Sequence, residues 1–429
     1  MLPIHRPPPR LVAKREPEHD YSVDHHEGRL IILTNSDGAE DYRIVEAPAA
    51  SPSRENWHEI EPHRSGRLIL DVVAFKDFLV RLEREDGLPR IVVRRFDNGE
   101  EHAIAFAEEV YSLGISAGYE YDTTTLRCTY SLMTTPAQVF DYDVSSRALR
   151  KTQEISSGHD PSLYVTRRVL APAKDGETVP ISLLYRKETK LDGSASLLLY
   201  GYGAYGMSMP AGFSTNALSL VDRGFVYAIG HVRGGKDKGY RWYKEGKREN
   251  KVNTFTDFIA AGEFLAAQGF TSRGRIVAHG GSAGGMLMGA VANMAPELFL
   301  GIIAEVPFVD VLTTMLDASL PLTPPEWPEW GNPIESEAGY RTIAAYSPYD
   351  NVREQPYPHI LALAGLTDPR VTYWEPAKWI AKLRELATSD GLILLQTNME
   401  AGHAGASGRF ERLKEVTLAY TFALKIAQA

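Results

Sequence analysis

The 429-residue sequence predicts two regions of different architecture: an all-β stretch up to about residue 160, then an α/β region on a mostly parallel sheet. Three observations carry this reading. The first part alternates apolar and polar residues between turn signals. The second alternates apolar strand runs with helical periodicity. A glycine-rich strand-to-helix turn, His279–Gly285, lies inside the second.

Residues 1–20, rich in Pro and Arg, read as a mobile arm. From 21 to 160 the predicted strands are Leu30–Thr34 and Tyr42–Val45, parted by the turn Asn35-Ser36-Asp37-Gly38. Leu68–Phe75, Phe78–Leu82 and Arg90–Phe96 follow, then Asp97-Asn98-Gly99, Thr125–Met133 and Gln138–Tyr142. Strand-turn-strand units recur at about 40–55 residues, the range of propeller blades. Roughly three such units are present where a closed propeller needs four or more, so the region reads as a partial β-propeller. From 161 to 429, Leu197–Tyr200 and Val226–Gly230 are buried strands. Thr254–Ala267 is an amphipathic helix carrying Phe255, Phe258, Ile259 and Leu265, capped by Asn253 and ended by Gly269. Arg275–His279, Gly301–Val306, Ile360–Ala364 and Leu392–Thr397 are further strands; Ser282–Met294, Glu375–Ala387 and Phe410–Ala427 are further helices.

Composition narrows the function classes. The formal net charge of -9 argues against a nucleic-acid binder and is compatible with attracting cationic peptides. No apolar run reaches the length of a membrane span, and the N-terminus lacks the apolar segment of a secretory signal. With Cys128 as the one cysteine no intrachain disulfide can form, and a cytoplasmic location fits. In its alternating stretch Cys128 reads as a small buried hydrophobe.

The turn His279-Gly280-Gly281-Ser282-Ala283-Gly284-Gly285 contains Gly-x-Ser-x-Gly after a predicted strand and before a predicted helix. That context holds a serine hydroxyl exposed on a strained turn, with helix amides ready for a developing oxyanion. A serine nucleophile needs a base, and the base an orienting acid. In α/β-hydrolases the order is Ser, then Asp or Glu, then His. Asp368 and His403 follow in that order, each just past an apolar strand, where catalytic groups of such sheets gather. His359 precedes its strand and lies at the wrong end, and His279 reads as a strand residue. No His/Cys/Asp cluster has metal-ligand spacing, so neither metal nor organic cofactor is expected.

From about residue 160 to the C-terminus the chain resembles the prolyl oligopeptidase family, and within it the oligopeptidase B group. The words that carry the resemblance are YGYGAYG (200–206), HVRGG (231–235), GGSAGGMLMG (280–289) and VPFVDVLTTMLD (306–317). EWGNP (329–333), YSPYDNV (346–352), YWEPAKW (373–379) and GHAGASGRF (402–410) extend it. The resemblance implies an α/β-hydrolase peptidase domain beside a propeller that restricts entry to short peptides. It implies Ser282, Asp368 and His403 as the triad, and Tyr202 with the Ala283 amide as the oxyanion hole. It implies Arg370 as a contact to substrate backbone.

Cleavage after Arg or Lys is the implied specificity, which requires a carboxylate to pair a buried cation. Glu326 matches the first acidic position of the group. Pro328 stands at the second, with Glu329 adjacent, and Pro210 and Gly212 replace two further acidic positions, so discrimination is expected to be weaker. The family's propeller has seven blades, so the chain reads as an N-terminally truncated member with an open site and an exposed sheet edge. The same triad would serve a prolyl-, acylaminoacyl- or dipeptidyl-type peptidase or an esterase. A reading of another class is a catalytically inert truncated binding module.

Overall fold

The computed structural model describes residues 10–118, 120–155 and 158–428. Contacts divide the chain into two units. One comprises residues 1–131, 137–156 and 238–241; the other comprises 132–136, 157–237 and 242–429.

Among the described residues the first unit contains three four-stranded sheets. The first is β1 (Tyr21–His26), β2 (Arg29–Thr34), β3 (Arg43–Pro48) and β4 (His58–Glu61). The second is β5 (Arg67–Ala74), β6 (Phe78–Glu85), β7 (Leu88–Arg95) and β8 (Glu101–Ala103). The third is β9 (Ser112–Ser116), β10 (Thr125–Leu132), β11 (Thr135–Asp143) and β12 (Ala148–Glu154). Strands adjacent in sequence are adjacent in each sheet, as in a meander, and each sheet is open. Their apolar faces meet: Ile31, Leu33 and Ile44 pack with Ile69, Val72 and Leu79, while Phe78, Val80 and Val93 pack with Leu126, Cys128 and Tyr142. Cys128 is fully buried, and burial pushes its thiol up to about 11, the behaviour of a packing residue.

The outer, missed strands β1, β4, β8, β9 and β12 carry little apolar periodicity; β12 has no buried residue. Sheet formation recruits them through backbone hydrogen bonds, which sequence pattern does not report. Charge is also buried here. Arg67 and Arg81 are 5% and 6% exposed and pair with Glu61, Glu83 and Glu101.

The second unit is an eight-stranded sheet in the order β13-β14-β16-β15-β17-β18-β19-β20. Its strands are β13 (Tyr164–Pro172), β14 (Thr178–Arg186), β15 (Leu197–Tyr200), β16 (Val226–Gly230), β17 (Ile276–Gly281), β18 (Phe299–Glu305), β19 (His359–Gly365) and β20 (Ile393–Asn398). β13, β14 and β16 pair antiparallel; from β16 to β20 every pair is parallel. The helices are α1 (Thr215–Val221), α2 (Tyr240–Lys244), α3 (Val252–Ala267), α4 (Ala283–Met294), α5 (Val311–Leu316), α6 (Thr323–Trp330), α7 (Glu337–Tyr346), α8 (Trp374–Leu386) and α9 (Arg409–Gln428).

Helices α3, α4 and α8 bury Phe255, Phe258, Met286, Val291 and Trp379 in the core of one face; α1 and α9 give Leu220, Phe422 and Ile426 to that of the other. One sequence expectation needs correction: Asn253 does not cap α3. The helix begins at Val252, two residues before the expected start, and the Asn253 amide donates to the Glu245 carbonyl at 3.0 Å. Gly269 follows the helix end in the left-handed region at φ 78°, as its role as terminator requires. The antiparallel strands β13 and β14 were not anticipated.

Candidate active site

The site is built where the parallel strands end. β17 enters the core with Ile276, Val277 and Ala278 fully buried, then turns sharply at Ser282, which has φ 58° and ψ -117°. An L-residue holds such a conformation only when its surroundings over-determine it. They do: the Ser282 amide donates to the Glu305 carbonyl at 2.8 Å, and its own carbonyl accepts from Gly285 and Phe308. The turn has no room for a larger residue at Gly280, where a Cβ would lie 2.6 Å from the Gly284 carbonyl oxygen and 2.8 Å from that of Gly201. Helix α4 starts at Ala283, so the Ala283 amide is one of the first-turn donors without an intrahelical partner.

Three side chains meet at this turn. His403 Nε2 lies 3.0 Å from Ser282 Oγ, and His403 Nδ1 lies 2.8 Å from Asp368 Oδ2. The other oxygen of Asp368 accepts from the amides of Arg370 at 2.8 Å and Val371 at 3.0 Å. Those two bonds lock the carboxylate of a residue that is 6% exposed. With Asp368 accepting at Nδ1, the imidazole carries its proton there and presents Nε2 as an acceptor to the serine hydroxyl. Asp368 follows β19 and His403 follows β20. The His403 loop is held from behind by the Glu415 carboxylate, which accepts from the Ala406 amide and Asn398 Nδ2.

Tyr202, just after β15, lines the cavity beside Ser282, and burial holds the phenol protonated by raising its pKa. Its loop is fixed by close backbone contact. Gly203 and Gly234 both occupy the left-handed region, and a Cβ on Gly234 would fall 2.0 Å from the Gly203 carbonyl oxygen. Lys251, 1% exposed, donates its ammonium to the carbonyls of Gly203 and Gly246. Thr254 adds a hydroxyl bond to the Arg233 carbonyl at 2.8 Å. Arg233 in turn forks onto both oxygens of buried Asp257. Sequence reasoning missed Lys251, Arg233 and Asp257. A cation heading an apolar helix was the available signal for Lys251.

A cavity of about 430 Å³ opens beside the serine. Tyr202, Phe308, Met315, Leu320, Trp330 and Val371 give it apolar and aromatic walls. Of the predicted substrate-binding residues, Glu326 and Arg370 line it, Arg370 as an exposed residue. Glu326 Oε2 accepts from the Tyr205 hydroxyl at 2.7 Å and from Trp330 Nε1 at 2.8 Å. Glu329 is not part of this wall. Its two oxygens accept from the Tyr205 amide and the Tyr243 hydroxyl, which makes it a brace for the Tyr202–Tyr205 loop.

A second Ser–His–Asp array exists elsewhere: Ser182 Oγ lies 2.8 Å from His231 Nε2, and His231 Nδ1 lies 3.2 Å from Asp237. All three of its residues are buried. Distances alone do not make a site; the array at Ser282 has a strained turn, unspent helix amides and an adjoining cavity.

Comparison with known proteins matches residues 211–429 to the prolyl oligopeptidase family model, and residues 1–154 to the model of the prolyl oligopeptidase N-terminal beta-propeller domain. The chain belongs to the prolyl oligopeptidase family. It is an α/β-hydrolase domain preceded by an open portion of a β-propeller. It is 46% identical over 416 residues to dipeptidyl aminopeptidase BI of Pseudoxanthomonas mexicana, covering 96% of this chain and 57% of that protein. It is 41% identical over 419 residues to protease 2 of Moraxella lacunata, covering 97% and 60%. Among solved structures it is similar to oligopeptidase B from Trypanosoma brucei with covalently bound antipain, at TM-score 0.90 and 42% identity, covering 97% of this chain and 60% of that one. The chain thus spans less than two thirds of the length of these family members. Among the described residues no helix is long and apolar enough to cross a membrane.

Proposed function

We propose that this chain is a serine peptidase that hydrolyses short peptides by acyl transfer, with preference for a basic residue before the scissile bond. The observation that carries the reading is the continuous relay Asp368–His403–Ser282 beside the cavity, with bonds of 2.8 and 3.0 Å.

In this mechanism Ser282 Oγ attacks the scissile carbonyl carbon while His403 Nε2 takes the hydroxyl proton. Asp368 keeps the imidazole in its working tautomer and stabilises the imidazolium. The oxyanion receives hydrogen bonds from the Tyr202 hydroxyl and the Ala283 amide, donors worth about 3–4 kcal/mol each in related chemistry. As the tetrahedral species collapses, His403 protonates the leaving amine and the acyl group stays on Ser282 as an ester. Water, deprotonated by His403, then releases the acid and restores the serine. Arg370 stands at the cavity as a donor for substrate backbone, and Glu326 as the partner of a cationic side chain.

The test compares hydrolysis of peptide amides with Arg or with Pro before the scissile bond, using wild type and Ser282→Ala. Arg cleavage that vanishes in the variant is expected. Folded wild-type protein that cleaves neither peptide, and is not labelled by a fluorophosphonate, overturns the reading in favour of an inert binding module. Dipeptidyl aminopeptidase activity is a second reading, favoured by the 46% identity to the protein of that name. Cleavage that requires a free substrate N-terminus selects it.

A further inference from the structure

The cavity beside Ser282 has a second carboxylate that the sequence reading did not assign. Glu375, in the first turn of α8, lines it together with Glu326, Thr314 and Thr372. Its side chain is 1% exposed. Glu375 Oε2 accepts from the amides of Val309 at 3.1 Å and Asp310 at 2.9 Å, and Oε1 accepts from the Thr314 hydroxyl at 2.8 Å. Oε1 therefore keeps acceptor capacity, since a carboxylate oxygen takes more than one donor. The hydroxyl of Thr372, buried on the same wall, makes no hydrogen bond among the described residues.

A guanidinium or ammonium group drawn into walls this apolar needs its charge paired and its several N–H donors satisfied. Glu326 is one partner. Glu329 is excluded because it does not line the cavity; its oxygens face the Tyr205 amide and the Tyr243 hydroxyl. We propose that Glu375 is the second specificity-determining carboxylate, acting with Glu326 to recognise the cationic side chain of a basic residue. This deepens the peptidase reading and rests on it.

The electrostatic setting gives this recognition a pH dependence. Burial pushes the Glu375 carboxyl up to about 7, and the neighbouring Asp310 carboxylate adds to the rise. Asp310 is itself held by Lys378, which also faces Asp350. Glu326 and Arg370 are the other charged groups on the cavity wall. Without ligand Glu375 is therefore half protonated near neutrality, and a bound cation expels that proton. If only the ionised form receives the cation, affinity rises about tenfold between pH 6 and pH 8 for a carboxyl of pKa about 7.

The test is calorimetric binding of benzoyl-arginine amide and its neutral isostere benzoyl-citrulline amide to Ser282→Ala protein at pH 6, 7 and 8. Arginine amide is expected to tighten about tenfold across the range, with release of about half a proton at pH 7, while citrulline amide stays flat. Adding Glu375→Gln, which preserves the shape of the side chain and the acceptor for the Val309 and Asp310 amides while its NH2 can donate to the Thr314 hydroxyl, is expected to abolish the pH dependence and the proton release. His403 is present in both proteins, so its own titration does not mimic the effect. A flat arginine profile, or a profile unchanged by Glu375→Gln, overturns the role of Glu375 alone. If Glu375→Gln does not fold, the proton count on Ser282→Ala protein that also carries His403→Ala, and so lacks the imidazole, decides. Arginine amide binding no tighter than citrulline amide at pH 8 overturns the basic-residue reading as well, independently of whether wild type hydrolyses peptides.

Discussion

Lys251 couples the stability of the hydrolase domain to the geometry of its active site. Its ammonium is 1% exposed, lies 5.2 Å from the centre of the Trp330 ring, and is bonded to two backbone carbonyls, with no carboxylate in contact among the described residues. Burial lowers its pKa from 10.5 to about 8, with Glu329 opposing the shift at longer range. The folded state thus binds this proton more weakly than the unfolded chain. Between pH 8 and 10.5 the unfolded chain carries more protons, so stability rises with pH across that window. The full penalty below pH 8 is about 3 kcal/mol, and most of it is relieved between pH 7 and pH 10. Lys251→Met keeps the length of the side chain and removes the charge. In urea unfolding at the two pH values, wild type is expected to gain about 2–3 kcal/mol relative to the variant on going to pH 10. The variant also loses the bond to the Gly203 carbonyl, one residue from Tyr202. Its kcat is therefore expected to fall about tenfold with KM little changed, roughly the 1.4 kcal/mol of one misplaced donor. Parallel pH–stability curves for the two proteins would refute the buried-charge argument. A changed KM with unchanged kcat would refute the positioning argument.

Three further outcomes follow from the same geometry. Tyr202→Phe removes one oxyanion donor and leaves the ring packing, so kcat is expected to fall about 100- to 1000-fold, while steady-state binding of a product-like peptide is unchanged. Asp368→Asn keeps the size of the side chain but favours the wrong imidazole tautomer; a loss of about 10⁴ in kcat is expected, read by single-turnover acylation. Gly234→Ala places a Cβ 2.0 Å from the Gly203 carbonyl oxygen at φ 96°, so the two backbone segments must separate. The expected result is about 1–3 kcal/mol of destabilisation in urea with a larger loss of activity than of stability, because the displaced segment carries Tyr202.

The two-part architecture was legible because burial leaves a signature in the chain. Runs such as Leu197–Tyr200 and Val226–Gly230 must be apolar to lie inside a parallel sheet, and both strands occupy those residues in the structure. The helix after the nucleophile was legible for the same reason, and Ser282, Asp368 and His403 stood out because each follows a buried strand. The exposed strand β12 was not legible, because its pairing is a backbone property. Nor was the N-terminus of α3, where Asn253 looks like a cap and is instead engaged by a distant carbonyl.

The side-chain environments are a different matter. Glu326 and Glu329 are three residues apart on one short helix and look equivalent in sequence, yet one lines the cavity and the other braces the Tyr205 loop. Glu375 looks like an ordinary first-turn helix acid, and only the approach of the Val309–Thr314 segment encloses it. Lys251 and Arg81 look like surface cations and are buried. The sequence by itself determined the order of strands and helices, the family and the residue types able to perform acyl transfer, because periodicity and local turn chemistry are properties of neighbouring residues. The tertiary structure decided which acids share a cavity, which cations lose their water and which tyrosine shares the cavity with Ser282, because burial and dielectric are set by segments that lie far apart in the chain.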